Sequence, residues 1–162
     1  MKLSKHLLAA ALSAACAVSA LAQNVTVSEA WARATVPGQK ATGAFMKLTA
    51  KDSVKLVGVS TPAAGVAEIH EMKMDKDVMK MAALPNGLDL PAGKSVELKP
   101  GSFHVMLMDL KAPLTKDTSV PLILVFQDAK GVKTNLEVKV PVSAQMPTTG
   151  QSMDMGHGEH KH

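Results

Sequence analysis

The sequence predicts an all-β domain, a sandwich or barrel of short strands, followed by a flexible tail. Three observations predict it. Short runs rich in Val, Leu and Thr recur along the chain, and many alternate apolar with polar residues. Turn signals containing Pro, Gly, Asn or Asp separate these runs at intervals of about ten residues, the spacing of a sandwich or barrel. No stretch carries the 3.6-residue apolar period of an amphipathic helix.

Residues 1–22 precede that pattern. Lys2 and Lys5 form a positive start, Leu7 to Val18 is apolar, and Ala20-Leu21-Ala22 is a small-x-small cleavage signal. This is the layout of a secretory signal peptide, so the mature chain is expected to begin at Gln23. The apolar run falls short of the ~20 residues that span a bilayer, and no stable membrane insertion is expected after cleavage. No paired arginines mark a twin-Arg signal, so general export to the bacterial periplasm is expected. Cys16, the one cysteine, lies in this segment. The residues before it, Ser13-Ala14-Ala15, lack the aliphatic residue of lipoprotein signals, which argues against Cys16 as a lipid-bearing terminus. The mature chain then has neither a disulfide nor a thiolate to offer.

Strands are expected at 25–32, 43–49, 54–60, 66–74, 78–83, 95–98, 103–109, 120–127 and 133–140. Breaks fall at Val36-Pro37-Gly38, Lys51-Asp52-Ser53, Thr61-Pro62, Pro85-Asn86-Gly87, Pro91-Ala92-Gly93 and Pro100-Gly101. A domain of residues 23–143 is long enough to bury a single core without covalent staples. Residues 144–162 contain no apolar run able to pack and are expected to form a flexible, Met/His-rich tail.

Composition excludes several functions. The formal charge of +4 falls to +2 when Lys2 and Lys5 leave, which is no nucleic-acid footprint. One Trp, three Phe and no Tyr leave no stacking platform, and Trp31 is expected in the core. No catalytic triad, paired carboxylates or glycine-rich phosphate loop is present, so no enzyme is expected. Methionine is the anomaly: eight of 11 fall at 72–81, 106–108 and 153–155.

Two segments combine histidine with methionine. In Phe103-His104-Val105-Met106-Leu107-Met108, strand alternation puts Phe103, Val105 and Leu107 on a core face and His104, Met106 and Met108 on the other, at or near the surface. In 68–74, His70, Met72 and Met74 share a face; in 78–81, Met79 and Met81 do. A hairpin turning at Asp75-Lys76 sets His70 opposite Met81 and Met72 opposite Met79, with opposed Cβ atoms about 4.5–5.5 Å apart. Thioethers are soft ligands that select Cu(I) over zinc, magnesium or calcium. Blue-copper electron transfer needs a thiolate, which the mature chain lacks.

The run His70-x10-Met81-x22-His104-x-Met106 resembles the metal motif of the PCu(A)C family of periplasmic copper chaperones. Ala30-Trp31-Ala32-Arg33-Ala34, Leu90-Pro91-Ala92-Gly93, Leu98-Lys99-Pro100-Gly101 and His104 to Leu110 are similar to other family signatures, over about 25–142. Glu71 stands where some members carry Met. The resemblance implies a cupredoxin-like Greek-key sandwich that binds Cu(I) through His70, Met81, His104 and Met106. It also implies delivery to a cytochrome oxidase subunit or its copper-assembly proteins. Met79 competes with Met81 for the second position, and Met72, Met79 and Met108 are candidates for accessory sulfur ligands. Met153, Met155, His157, His160 and His162 form a second candidate site in the tail, with imidazoles suited to Cu(II). A monomer is expected. A periplasmic copper buffer without a dedicated recipient is the alternative role.

Overall fold

The computed structural model describes residues 24–145. Ten strands run in chain order: β1 (Val25–Arg33), β2 (Ala41–Ala50), β3 (Val54–Ser60), β4 (Ala64–Asp75), β5 (Val78–Ala83), β6 (Leu88–Leu90), β7 (Ser95–Leu98), β8 (His104–Leu110), β9 (Ser119–Asp128) and β10 (Lys133–Ser143). The described residues contain no helix. Nine strands fall where the sequence places them. The tenth, β6, is only three residues long and sits between two turns, too short for alternation to reveal.

The strands follow the order β5-β4-β8-β2-β1-β10-β9-β3-β6, with β7 beside β2. Two layers result. The link between them is the parallel pairing of β1 with β10 at Ala32–Val142 and Arg33–Ser143. Leu48, Val105 and Leu107 from one layer and Leu56, Leu122, Leu124 and Val140 from the other lose all contact with water and form one core. This is a cupredoxin-like sandwich, each inner face supplied by every second residue of its strands.

The layer β5-β4-β8-β2-β1 positions the site. β8 starts where β7 leaves off along β2: the C-terminal half of β2 pairs with Ser95–Leu98 and its N-terminal half with Val105–Met108. Between them the loop 99–103 bulges outward, closed by Ser102 N–H donating to the Lys99 carbonyl and Lys99 N–H to the Phe103 carbonyl. Surface charges hold β7 in place. Lys47 on β2 pairs with Glu29 at 3.0 Å and with Glu97 at 3.7 Å, and Lys99 pairs with Glu97 at 3.1 Å. The hydrogen bond to Glu29 holds the Lys47 ammonium above the usual lysine range, and the bond from Lys99 holds Glu97 below the usual carboxylate range.

Two local features depart from expectation. The first is a bulge in β1, with Glu29 at φ +52° and one extra residue between Ser28 and Trp31 relative to β2. The extra residue reverses the alternation. Val25 faces the core before the bulge and Ala32 after it, so Trp31 is buried as expected, 3% exposed, but against Phe45 and apart from the main cluster. The second is the β4–β5 register. The turn is Lys76-Asp77, both at positive φ as in a type I′ hairpin, rather than Asp75-Lys76. Met72 therefore opposes Met81, Met74 opposes Met79, and His70 opposes Ala83. The shift is by two residues, so every side chain keeps its predicted face while its partner changes.

Gly87 closes the turn that delivers β6 to β3. Its φ is +78°, and a Cβ there would stand 2.4 Å from the Leu56 carbonyl oxygen. Gly38 has φ +86° with open space around it. Gly87→Ala is expected to destabilise the fold by more than about 1 kcal/mol, and by clearly more than Gly38→Ala, as measured by urea denaturation. Equal losses would show that backbone conformation alone matters at Gly87.

Candidate metal centre

The outer face of β2, β8, β4 and β5 carries the candidate ligands, in rungs set by the pairing. On β8 and β4, His104 opposes His70 and Met106 opposes Glu68. Gly43 of β2 lies across from Met106. The Met72–Met81 pair forms the next rung outward along the hairpin. Val105 and Leu107 point the other way and are fully buried, as the alternation requires.

Both imidazoles are buried, with His70 8% and His104 7% exposed. This corrects the expectation of His104 at or near the surface: its face is the outer one, yet it is roofed. The ring of Phe45 lies 6.4 Å from that of His104, and Trp31 stacks on Phe45 at 4.6 Å. Arg33 lies 5.7 Å above Phe45 and 6.0 Å above Trp31, within cation–π range. The glycine at position 43 is what allows this roof, since a Cβ there would be 2.7 Å from the Phe45 ring. The β1 bulge supplies Trp31. The alternation of β1 alone gave no signal for it, because the phase reversal sits at Glu29, an ordinary strand residue by composition.

Hydrogen bonds fix which nitrogen of each ring is free. The Nδ1–H of His104 donates to the Ser102 carbonyl at 3.1 Å, which in the neutral ring makes Nε2 the lone-pair atom. That Nε2 stands 3.2 Å from the Met81 sulfur. In this tautomer both atoms present lone pairs and no proton lies between them. The His70 Nε2–H donates to Glu68 Oε2 at 2.8 Å, which in the neutral ring makes Nδ1 the lone-pair atom. Among the described residues His70 Nδ1 is the one buried side-chain nitrogen or oxygen without a hydrogen-bond partner. A buried polar atom left so costs about 1–3 kcal/mol. The Ser102 carbonyl also accepts from Met72 N–H at 3.2 Å, so one oxygen ties β4 to the His104 ring.

Met72, Met81, His104 and Met106 line a cavity of about 310 Å³ bounded by Phe45, Arg33 and the Pro100-Gly101 turn. His70 is not among the lining residues and lies beside His104, with ring centroids 5.8 Å apart. The structure thus brings His70, Met81, His104 and Met106 together and adds Met72. Met79 sits one rung farther out, and Met108 opposes Val66 on the far side of Met106. No group of three or more His, Cys, Asp or Glu side chains able to hold a metal occurs among the described residues. A site here depends on thioether sulfur, which favours a soft monovalent ion. Cys16, Met153, Met155, His157, His160 and His162 lie outside the described residues, as do the segments 1–22 and 146–162.

Comparison with known proteins identifies the fold and the family. The family model “Putative lipoprotein LpqE-like” matches residues 25–142. “Putative lipoprotein Lxx21020” of the bacterium Leifsonia xyli is 33% identical over 118 residues, 73% of this chain and 71% of that protein. The solution structure of Cu(I)-bound DR1885 from Deinococcus radiodurans superposes with a TM-score of 0.57 at 33% identity, covering 80% of this chain and 85% of that one. The copper-bound PCuAC domain from PmoF2 has the same fold, with a TM-score of 0.60 at 20% identity over 76% of this chain and 95% of that domain. The fold is that of a PCu(A)C-class β-sandwich. The chain belongs to the LpqE-like family, the PCu(A)C copper chaperones, and is not an enzyme.

Glu68 holds one ring nitrogen of His70 and so selects its tautomer. In Glu68→Ala, nitrogen-15 shifts of His70 are expected to move from a single tautomer to a mixture, while those of His104 stay fixed. Unchanged His70 shifts would mean that packing alone sets the ring.

Proposed function

We propose that this domain carries Cu(I) on His70 Nδ1, Met81 Sδ, His104 Nε2 and Met106 Sδ. The observation that carries the reading is the His104 Nε2 standing 3.2 Å from the Met81 sulfur, beside an unpartnered His70 Nδ1. Two lone-pair donors at that distance repel each other, and a soft cation between them removes the repulsion. Met81 is favoured over Met79 because it is the member of β5 that reaches His104. Met72 is placed to add sulfur from the facing strand, and Met108 is the more remote candidate.

The ligand set is neutral, which suits a monovalent ion, and it draws on both buried and open positions. The imidazoles sit at the floor, whereas Met81 is 49% exposed. An exposed ligand can be displaced by a recipient's ligand one bond at a time, which fits delivery better than storage. We assign the protein to the bacterial periplasm, exported by the segment 1–22, with a monomeric domain of residues 23–143. Its recipient on this reading is a cytochrome oxidase subunit or that subunit's copper-assembly proteins. Met153, Met155, His157, His160 and His162 would bind a second copper, as Cu(II). No helix of the described residues is long and apolar enough to cross a membrane.

Anaerobic Cu(I) titration tests the centre. Wild-type protein is expected to bind one tight equivalent with a mixed sulfur and nitrogen shell by X-ray absorption. His104→Ala/Met106→Ala is expected to lose that equivalent. An all-oxygen and nitrogen shell, or full binding by the double variant, would overturn the assignment. Faster Cu(I) transfer to an apo oxidase subunit than from small Cu(I) complexes is expected of a chaperone, and equal rates of a buffer.

The tail is tested by truncation after Gln145, which spares the β10 pairing of Ser143 with Arg33. Loss of one Cu(II) equivalent with Cu(I) binding intact is expected. An unchanged copper stoichiometry would remove the tail from the copper-binding scheme.

A further inference from the structure

The outer half of the β4–β5 hairpin carries sulfur that the inner centre does not use. Met74 and Met79 are directly opposed, one rung beyond Met72 and Met81. They are 61% and 44% exposed. All four thioethers share the face of His70, because each strand alternates. Beyond Glu68, which sits on the His70 face and bonds that ring, the charged residues of the hairpin strands fall on the other face. There Glu71 pairs with Lys73 at 4.0 Å and Asp75 with Lys80. One face of the hairpin is thus a ladder of thioethers, and the opposite face is ionic.

Packing does not account for methionine at 74 and 79. A large apolar side chain left in water forgoes the roughly 1.5–3 kcal/mol that full burial brings. Coordination does account for it. A thioether is a neutral, soft ligand for Cu(I), and the three rotatable bonds of methionine let its sulfur swing. Opposed residues have Cβ atoms about 4.5–5.5 Å apart, so two such sulfurs can close on one ion. The next rung on the same face is about 7 Å away, within reach of the long side chains of Met72 and Met81. No carboxylate stands among the rung positions 70, 72, 74, 79, 81 and 83 to attract a hard dication.

We propose that Met74 and Met79 form an outer thioether port, on which Cu(I) lands and from which it passes through Met72 and Met81 to the floor of the centre. The port rests on the copper reading of the inner centre and adds a route to it. Each step is a ligand exchange: one Cu–S bond forms as another breaks, the metal stays Cu(I), and no proton or electron is transferred. Two thioethers hold the ion more weakly than the mixed inner set. The port therefore governs rates in both directions and leaves the final affinity alone.

Met74→Leu/Met79→Leu tests it, because both residues are exposed and leucine is close in volume. The full chain is loaded anaerobically from a bulky Cu(I) bis-bicinchoninate complex in a stopped-flow instrument and unloaded by the same chelator. Loading and unloading are both expected to slow several-fold by a common factor, with the equilibrium affinity unchanged. Rates equal to wild type would overturn the port. A matching loss of equilibrium affinity would also overturn it, since these residues would then belong to the inner centre. A second measurement separates the port from the centre. In His104→Ala/Met106→Ala protein labelled at the methionine methyls, the Met74 and Met79 signals are expected to shift on adding Cu(I) as its acetonitrile complex. Static signals would overturn the port even if the inner centre is sound, and failure of the wild-type titration alone would overturn the centre.

Discussion

Val105 and Leu107 anchor the arrangement on which everything else depends. Both are fully buried between the two layers, and they fix the register of β8 between β2 and β4. A slip of one residue would send these two into solvent and drive His104 and Met106 into the core. Burial of two side chains, each worth about 1.5–3 kcal/mol, thus sets the position of two soft ligands on the opposite face. The same pairing carries His70 beside His104 from β4 and Gly43 beside Met106 from β2. The outer face is consequently ordered by a core it does not touch.

Periodicity made much of this legible in the sequence. The alternation in 103–108 gives the face of each residue in β8, and the Pro/Gly breaks give nine of the ten strands. Register was harder to read. Alternation has a period of two, so it cannot distinguish a turn at Asp75-Lys76 from one at Lys76-Asp77 shifted by two residues. The face of Met81 followed from the pattern, but its partner, Met72 rather than His70, did not. The β1 bulge was invisible for a related reason. Glu29 carries no signal of left-handed backbone, and one extra residue set the buried Trp31 behind Phe45, backing the wall that Phe45 forms beside His104. Burial of His104 depended on that same wall, and so on contacts between segments far apart in the chain.

Hydrogen bonding completes the centre in a way composition could not reveal. Glu68 and the Ser102 carbonyl each occupy one ring nitrogen and leave the other free. The two free nitrogens are opposite in kind, Nδ1 on His70 and Nε2 on His104. Neither supporting group is a ligand, yet each orients one, as the partners of metal-binding histidines commonly do. Ser102 holds Met72 as well, so the loop 99–103 couples a strand of the hairpin to an imidazole of the floor.

The place of β5 at the end of the layer has a consequence for the protein's solubility. An edge strand presents unpaired backbone groups, and one carrying exposed methionines invites addition of a second copy. Here Lys80 projects from the middle of β5, already paired with Asp75, and an incoming strand would have to strip water from both. Charge on one side of the hairpin thus guards the sulfur on the other, keeping the thioether face open to a small ion while discouraging growth of the sheet through its free edge.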